Sequence, residues 1–386
     1  AAGEPFADVV TPQPRVAQQH LAPRQRTMPD FAGALNYGYH LDAGKLAALL
    51  MRHATERLGV RHLRDHVTRV ERAEQGDVVA VYTRAQGAIE GDLFLDCTGH
   101  AALLMGDVPF IDRGDVLFND RALAVQVPVA ADSPIKAQTD ATAHAAGWIW
   151  DIGLPTRRGV GCVYSSAHMS DDAALATLAA YLGTDAPITP RRLTFRSGHR
   201  AHFWVGNCLA IGLSAGFLEP LEASAIVTVE LSLDALLDDW PTPATMPLVA
   251  ARFNTLFRYR WDRIVEFLKL HYVLSRRDGR YWRDHRDPAS IPPRLAELLA
   301  LWQHRPPLRA DLPMVDELFP AASYQYILYG MGARVPEPGP LQMGKPPSLA
   351  PIAQRARSMV ATLPPIRAYL DACRAAYQPN VMEQIS

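Results

Sequence analysis

An α/β fold is the class this sequence predicts, with a core sheet, an added antiparallel sheet and a helical cap. Three observations point there: an amphipathic helix followed by short strands over residues 42–97, alternating strand-like stretches over 118–165, and long helical periodicity beyond Pro241. At 386 residues with 48% hydrophobic content, the chain can bury a sizeable core as one large domain or two intimately packed ones. Its 39 basic residues against 40 acidic ones give no bulk attraction to nucleic acid or to an anionic membrane, so neither partner is expected. No apolar run reaches the roughly 18 to 20 residues that span a bilayer and no signal pattern opens the chain, so a cytoplasmic location is expected. Cys97, Cys162, Cys208 and Cys373 form no CxxC pair, and the histidines show no ligand spacing; no metal site is predicted.

Residues 1–30 are rich in Pro, Gln, Arg and Ala without periodicity and read as a surface connection. From Asp42, a helix N-cap, the run DAGKLAALLMRHATERLGV places Leu46, Leu49, Leu50, Ala54 and Leu58 on one face and stops at Gly59. RHLRDHVTRVERA and DVVAVYTRA form a hairpin about Gln75-Gly76-Asp77, and Gly87 turns into a further strand, EGDLFLDCTG, whose apolar centre suits the middle of a covered sheet. RALAVQVPVA, GWIWDIGLP and GVGCVYSS predict the second, antiparallel sheet, able to roof a cavity. The segment from Asn207 to Leu237 reads as a buried strand, a loop bent at Gly212 and Gly216, and a helix from about Glu222; beyond Pro241 come long helices, a Pro-rich stretch over 335–350 and a last helix near 351–376.

The loop before that helix is the sharpest candidate site. Free amides at a helix N-terminus favour an anion or an electron-rich ring edge. Glu219 and Glu222 bracket Pro220, so one carboxylate can face a cavity while the other caps the helix or meets solvent; from spacing alone the capping role is favoured. Alternating Trp148 and Trp150 read, on their own, as the filling of one strand face, and His271 as a hydrogen-bonded core histidine.

GFLEPLEASAI, from Gly216 to Ile226, resembles the FxEPLESTGI loop of the flavin-dependent tryptophan halogenase family. YHLDAGKLAALL, DLFLDCTGHAALL, GWIWDIGLP, FLKLHYVLSRRDGRYW and FPAASYQYILYGMG each resemble family segments in the family's order, covering about residues 30 to 335. GWIWDIGLP is similar to the family's tryptophan-x-tryptophan-x-isoleucine-proline signature at Trp148, Trp150 and Ile152, with the proline displaced to Pro155.

The resemblance implies an FAD-binding, monooxygenase-like (Rossmann-type) core divided as follows: 1–117 a partial FAD core, 118–205 the substrate-side antiparallel sheet, 206–240 a return to the core with the halide loop, and 241–386 the helical cap. It implies FAD, delivered as FADH2 by a separate flavin reductase, and chloride or bromide; oxygen and reduced flavin oxidise the halide, and the hypohalous acid formed travels a channel to an indole-like aromatic. Glu222 takes the catalytic position, where it helps the substrate ring lose its proton; Ser224 and Ala225 hold the halide; Val67, Gly212, Leu213, Ala225 and Ile226 contact the flavin; Phe217 and Tyr324 face the substrate. Ala223 and Ala225 depart from the family's serine and glycine, and Ala223 with the tail's composition suggests a pocket that prefers free indole or a larger aromatic to tryptophan. The alternatives are a flavin hydroxylase on the same core and a silent relative that binds an aromatic ligand; a homodimer is left open. No G-x-G-x-x-G turn occurs, Gly159 and Gly161 lie in a strand, and none of Lys45, Lys136, Lys269 or Lys345 sits in the family's catalytic-lysine context, so the 386 residues alone are expected neither to hold flavin tightly nor to halogenate.

Overall fold

The computed structural model describes residues 4–184, 186–337 and 348–382; Lys345 and most of the Pro-rich stretch lie outside the described residues. The described part of the first thirty residues, 4–30, is not a bare connection. It forms α1 (Phe6–Val10) and α2 (Gln13–Gln18), each too short to show a periodicity. The ring of Phe6 packs on Tyr326 and Tyr329, and Val16 and Leu21 share a small core with Met359 and Leu363.

Asp42 caps α3 (Ala43–Arg57) through an acceptor bond from the Lys45 amide at 3.3 Å. The apolar face of α3 is uncovered among the described residues: Leu49 and Leu50 are 54% and 57% exposed. The hairpin forms as β1 (Val67–Arg72) and β2 (Val78–Thr83), but the strand expected after Gly87 divides in two. β3 (Gly87–Glu90) completes a three-stranded antiparallel sheet with β2, and after a break at Gly91 the chain enters β4 (Phe94–Asp96) in another sheet. β4 runs at that sheet's edge among the described residues, not its centre, and Leu95 is exposed.

β5 (Phe110–Asp112) leads to the large antiparallel sheet, made of β6 (Arg121–Pro128), β7 (Asp140–His144), β8 (Gly147–Gly153), β9 (Arg157–Tyr164) and, after α4 (Asp171–Leu182), β10 (Arg191–Thr194). Its order is β10-β6-β9-β8-β7, and α4 packs Ala174 and Leu178 against Leu123, Val160 and Cys162. Gly161 is a packing glycine: a Cβ there would lie 2.0 Å from the Trp150 indole.

β11 (Gly198–Arg200) pairs with β5 and later with β14 (Gly216–Phe217), while β12 (Trp204–Val205) and β13 (Cys208–Ala210) form the sheet in which β13 runs parallel to β4. α5 (Ser224–Asp238) follows; its start is two residues later than expected. The cap comprises α6 (Met246–Val273), α7 (Arg280–His285), α8 (Pro293–Leu301) and α9 (Ala321–Gly330). α6 is the spine of the core: Phe253, Phe257, Trp261, Ile264, Phe267 and Leu270 are among its buried residues. The expected last helix is two, α10 (Ala350–Thr362) and α11 (Ile366–Met382), because Pro364 and Pro365 interrupt it. No described helix is long and apolar enough to cross a membrane, and no described group of His, Cys, Asp and Glu residues could hold a metal ion.

Candidate active site

Two carboxylate-held turns lie at the ends of β4 and β14. At the first, the buried Asp96 accepts from the Thr98 amide and hydroxyl (2.9 and 2.7 Å), the Leu104 and Met105 amides (2.8 and 3.1 Å) and the Ser214 hydroxyl (3.1 Å). One side chain therefore ties the Thr98-Gly99 turn to the Gly212–Ser214 turn at the end of the parallel strand β13. Gly212 has φ +66°, which favours glycine, and a Cβ there would meet only Val229, at 3.6 Å. The carboxyl end of parallel strands is where open α/β sheets receive ligands. Exposed apolar side chains stand there, Leu213 at 44% and Ile226 at 60%, so the residues fit a planar ring system. Val67 is exposed but stands apart. Asn207 docks the hairpin at Val78, the Arg72 end of its ladder, about 17 Å of strand rise from Val67.

At the second turn, Pro220–Glu222 forms a single 3-10 turn and Ala223 adopts a left-handed φ of +50° before α5 begins. Neither glutamate caps that helix, contrary to the spacing-based expectation. Glu219 is fully buried and accepts from Asn119 Nδ2 (2.6 Å), Trp148 Nε1 (2.9 Å) and the Tyr272 hydroxyl (2.7 Å). Burial holds its carboxyl above the ordinary range against the opposing pull of those three donors. Tyr281 extends the network by donating to Asn119 Oδ1 at 3.0 Å.

Glu222 is partly exposed, with Oε1 at 2.8 Å from His271 Nε2. His271 Nδ1 lies 2.9 Å from the Phe267 carbonyl, which can only accept, so Nδ1 carries a proton. Nε2 is thereby the ring atom turned to the Glu222 carboxylate, at hydrogen-bond distance from it. His271 is a hydrogen-bonded histidine, as expected, but its partner is the candidate catalytic carboxylate.

Ser224 and Ala225 open α5, where amides have no partner within a helix and no side chain caps them. Gly216 is held by close approach and not by φ: a Cβ would lie 2.5 Å from the Gly198 carbonyl. Phe217 packs edge-on to Phe195 at 4.9 Å and to His100 at 5.7 Å, beside the turn. Tyr324, expected to face the substrate, is 1% exposed and packed against Phe267 and Trp302; Phe267 stands between it and the site, its ring meeting His271 at 5.4 Å. Lys269 is also buried, bonded to the Val116 carbonyl, His285 Nδ1 and the Ser290 hydroxyl. Asn119, Tyr272, the role of the Trp148 indole N–H and the pairing of His271 with Glu222 are what sequence reasoning missed; the His-Tyr pair of FLKLHYVL was the available signal.

A family model described as tryptophan halogenase matches residues 1–346. The tryptophan 6-halogenase SttH of Streptomyces toxytricini is 36% identical over 89% of this chain and 68% of its own length, and the tryptophan 7-halogenase RebH of Lentzea aerocolonigenes 31% over 95% and 73%. The solved tryptophan halogenase of Shewanella frigidimarina NCIMB 400 superposes with a TM-score of 0.92 at 44% identity, covering 96% of this chain and 73% of that one. BrvH, a flavin-dependent halogenase from Brevundimonas sp. BAL3, does so with a TM-score of 0.84 at 34% identity, covering 96% and 77%.

Proposed function

Because this chain belongs to the family of flavin-dependent tryptophan halogenases, we propose that halogenation of an indole-like aromatic centres on Glu222, beside a halide held by the backbone amides of Ser224 and Ala225. The observation that carries this reading is the second turn: a partly exposed carboxylate held by His271 stands two residues before a helix N-terminus with no side-chain cap. Amides there bind a small anion whatever side chain they carry, so Ala225 serves as well as glycine.

FAD, delivered reduced by a separate reductase, would lie along Gly212 and Leu213 and reach Ala225 and Ile226, with Val67 as an outlying contact. When bound, it supplies with oxygen the oxidising power that makes chloride or bromide electrophilic. The protein's own residues do the rest. Ser224 and Ala225 hold the halide in place, Phe217 packs beside the turn, and Glu222 accepts the proton that the substituted ring carbon must lose. One oxygen of Glu222 is fixed by His271; its other oxygen has no hydrogen-bond partner among the described residues and is free to meet the ring. Ala223, which removes a hydroxyl from the substrate side, favours free indole or a larger aromatic over tryptophan.

The test is Glu222→Gln, made in a complete enzyme, in a reductase-coupled assay with bromide. Halogenation falls by at least about a hundredfold, as expected for a lost acid-base group, with the melting temperature unchanged. Turnover equal to the parent's would remove Glu222 from the mechanism, and a screen in which tryptophan gave the highest kcat/KM would overturn the substrate preference.

A further inference from the structure

Glu219 and Glu222 stand three residues apart on the second turn, and their partners on α6 are adjacent: Tyr272 donates to Glu219 and His271 bonds Glu222. The 3-10 turn between the two carboxylates is thus gripped at both ends by one helix. At the Glu219 end a second grip comes from across the molecule, where Trp148 of β8 donates its indole N–H at 2.9 Å. Asn119 bridges both by donating to Glu219 and to the Tyr272 hydroxyl. Within the turn the Ala223 amide donates to the Pro220 carbonyl at 3.1 Å, and Ala223 holds its left-handed φ without being glycine. An alanine stays in that region only where its surroundings over-determine it. The surroundings here are the two anchored carboxylates, and Ala223 is the residue that sets the direction of the Ser224 and Ala225 amides.

Resting on the halide reading above, we propose that Trp148 and Tyr272 are positioning residues: through the buried Glu219 they set the turn that aims the Ser224 and Ala225 amides at the halide. This gives the first tryptophan of the W-x-W signature a task that Trp150, packed on Gly161, does not share. It also separates the two glutamates. Glu219 governs where the halide sits, and Glu222 governs what happens to the substrate proton.

The experiment compares Tyr272→Phe, which keeps the ring and deletes the donor, and Trp148→Phe, which keeps an aromatic ring but loses the indole N–H with part of the side chain, with Tyr164→Phe. Tyr164 is a buried tyrosine bonded to Asp171 in the antiparallel sheet, outside the turn's network. With the substitutions made in a complete enzyme, the KM for bromide in a reductase-coupled assay rises at least about fivefold in both turn variants, while kcat at saturating bromide stays within about twofold. Tyr164→Phe lowers the melting temperature and leaves the bromide KM unchanged. Crystals of parent and variants soaked in bromide give an independent readout, the anomalous peak beside the Ser224 and Ala225 amides, present in the parent and weakened in Trp148→Phe and Tyr272→Phe. No peak there in the parent overturns the halide reading. A parent peak that both variants retain, with an unmoved bromide KM, overturns the positioning role alone, as does a rise in KM that Tyr164→Phe reproduces.

Discussion

The two carboxylate-held turns solve one problem in opposite ways. Asp96 gathers four of its five bonds from residues within nine positions of itself and the fifth from Ser214 on the neighbouring turn, so the first turn is assembled locally. Glu219 takes its bonds from partners 53, 71 and 100 residues away. The second turn is held only when β8, α6 and the loop carrying Asn119 have come together. A locally built turn fails by losing its fold; one held from a distance fails by losing its aim.

The largest expected effect tests the local half of that contrast. Asp96→Ala strands the Leu104 and Met105 amides in the interior and cuts the tie to Ser214. Deleting a buried carboxylate that accepts several bonds costs on the order of 3 to 4 kcal/mol of folding stability, read by urea denaturation. A loss below about 1 kcal/mol would mean that the turn is held by its backbone alone.

The next effect is smaller and purely functional. His271→Gln removes the ring that holds one oxygen of Glu222 but leaves the Glu219 network standing. We expect kcat to fall about tenfold, or ~1.4 kcal/mol, with the bromide KM within error of the parent. A changed bromide KM with an unchanged kcat would invert the division of labour between the two glutamates.

That contrast also explains what could be read from the residues. The DCTG turn, the Asn207-to-Leu237 unit and the antiparallel run from Arg121 were legible because each is written in one stretch: a strand pattern, a glycine, a helix start. The family resemblance pointed to Glu222 but not to what holds it. His271 lies in a different helix and Trp148 in a different sheet, so no spacing joins them to the turn. Glu219 misled for the same reason. Acidic residues before a helix normally cap it, and only tertiary contacts reveal a buried carboxylate with three donors. The face of α3 was read correctly as amphipathic, yet amphipathicity states that a face wants cover and not what covers it.

The smallest expected effect lies beneath the anchor of the distant turn. The ring of Tyr272 stacks on His285 at 4.2 Å, and His285 Nδ1 lies 3.0 Å from the buried Lys269 ammonium, one turn back along α6. Burial pulls the Lys269 amine down to about 7, against which Asp115 and Asp287 act in the opposite direction. In the unfolded chain that amine titrates near 10.4. Between those two values the unfolded state holds a proton that the folded state has given up, so this group makes stability rise with pH across the window and adds no slope below it. Two other sets of groups bound the useful range. His285, driven by burial down to about 2, exerts its slope mainly below the unfolded histidine value near 6.5. Cys162 and Cys208, pushed by burial up to about 12, make stability fall with pH above about 8.5. From pH 7.5 to 8.5, therefore, Lys269 dominates, and unfolding free energy should gain about 0.5 to 1 kcal/mol, below the limit of ~1.4 kcal/mol per pH unit for one proton. Lys269→Met, compared by denaturant titration at both pH values, should lose that gain. Equal slopes in parent and variant would mean that Lys269 stays charged in the folded protein, stabilised by its three acceptors and by the Phe118 ring 4.8 Å away, and that Tyr272 is anchored beside a permanent cation.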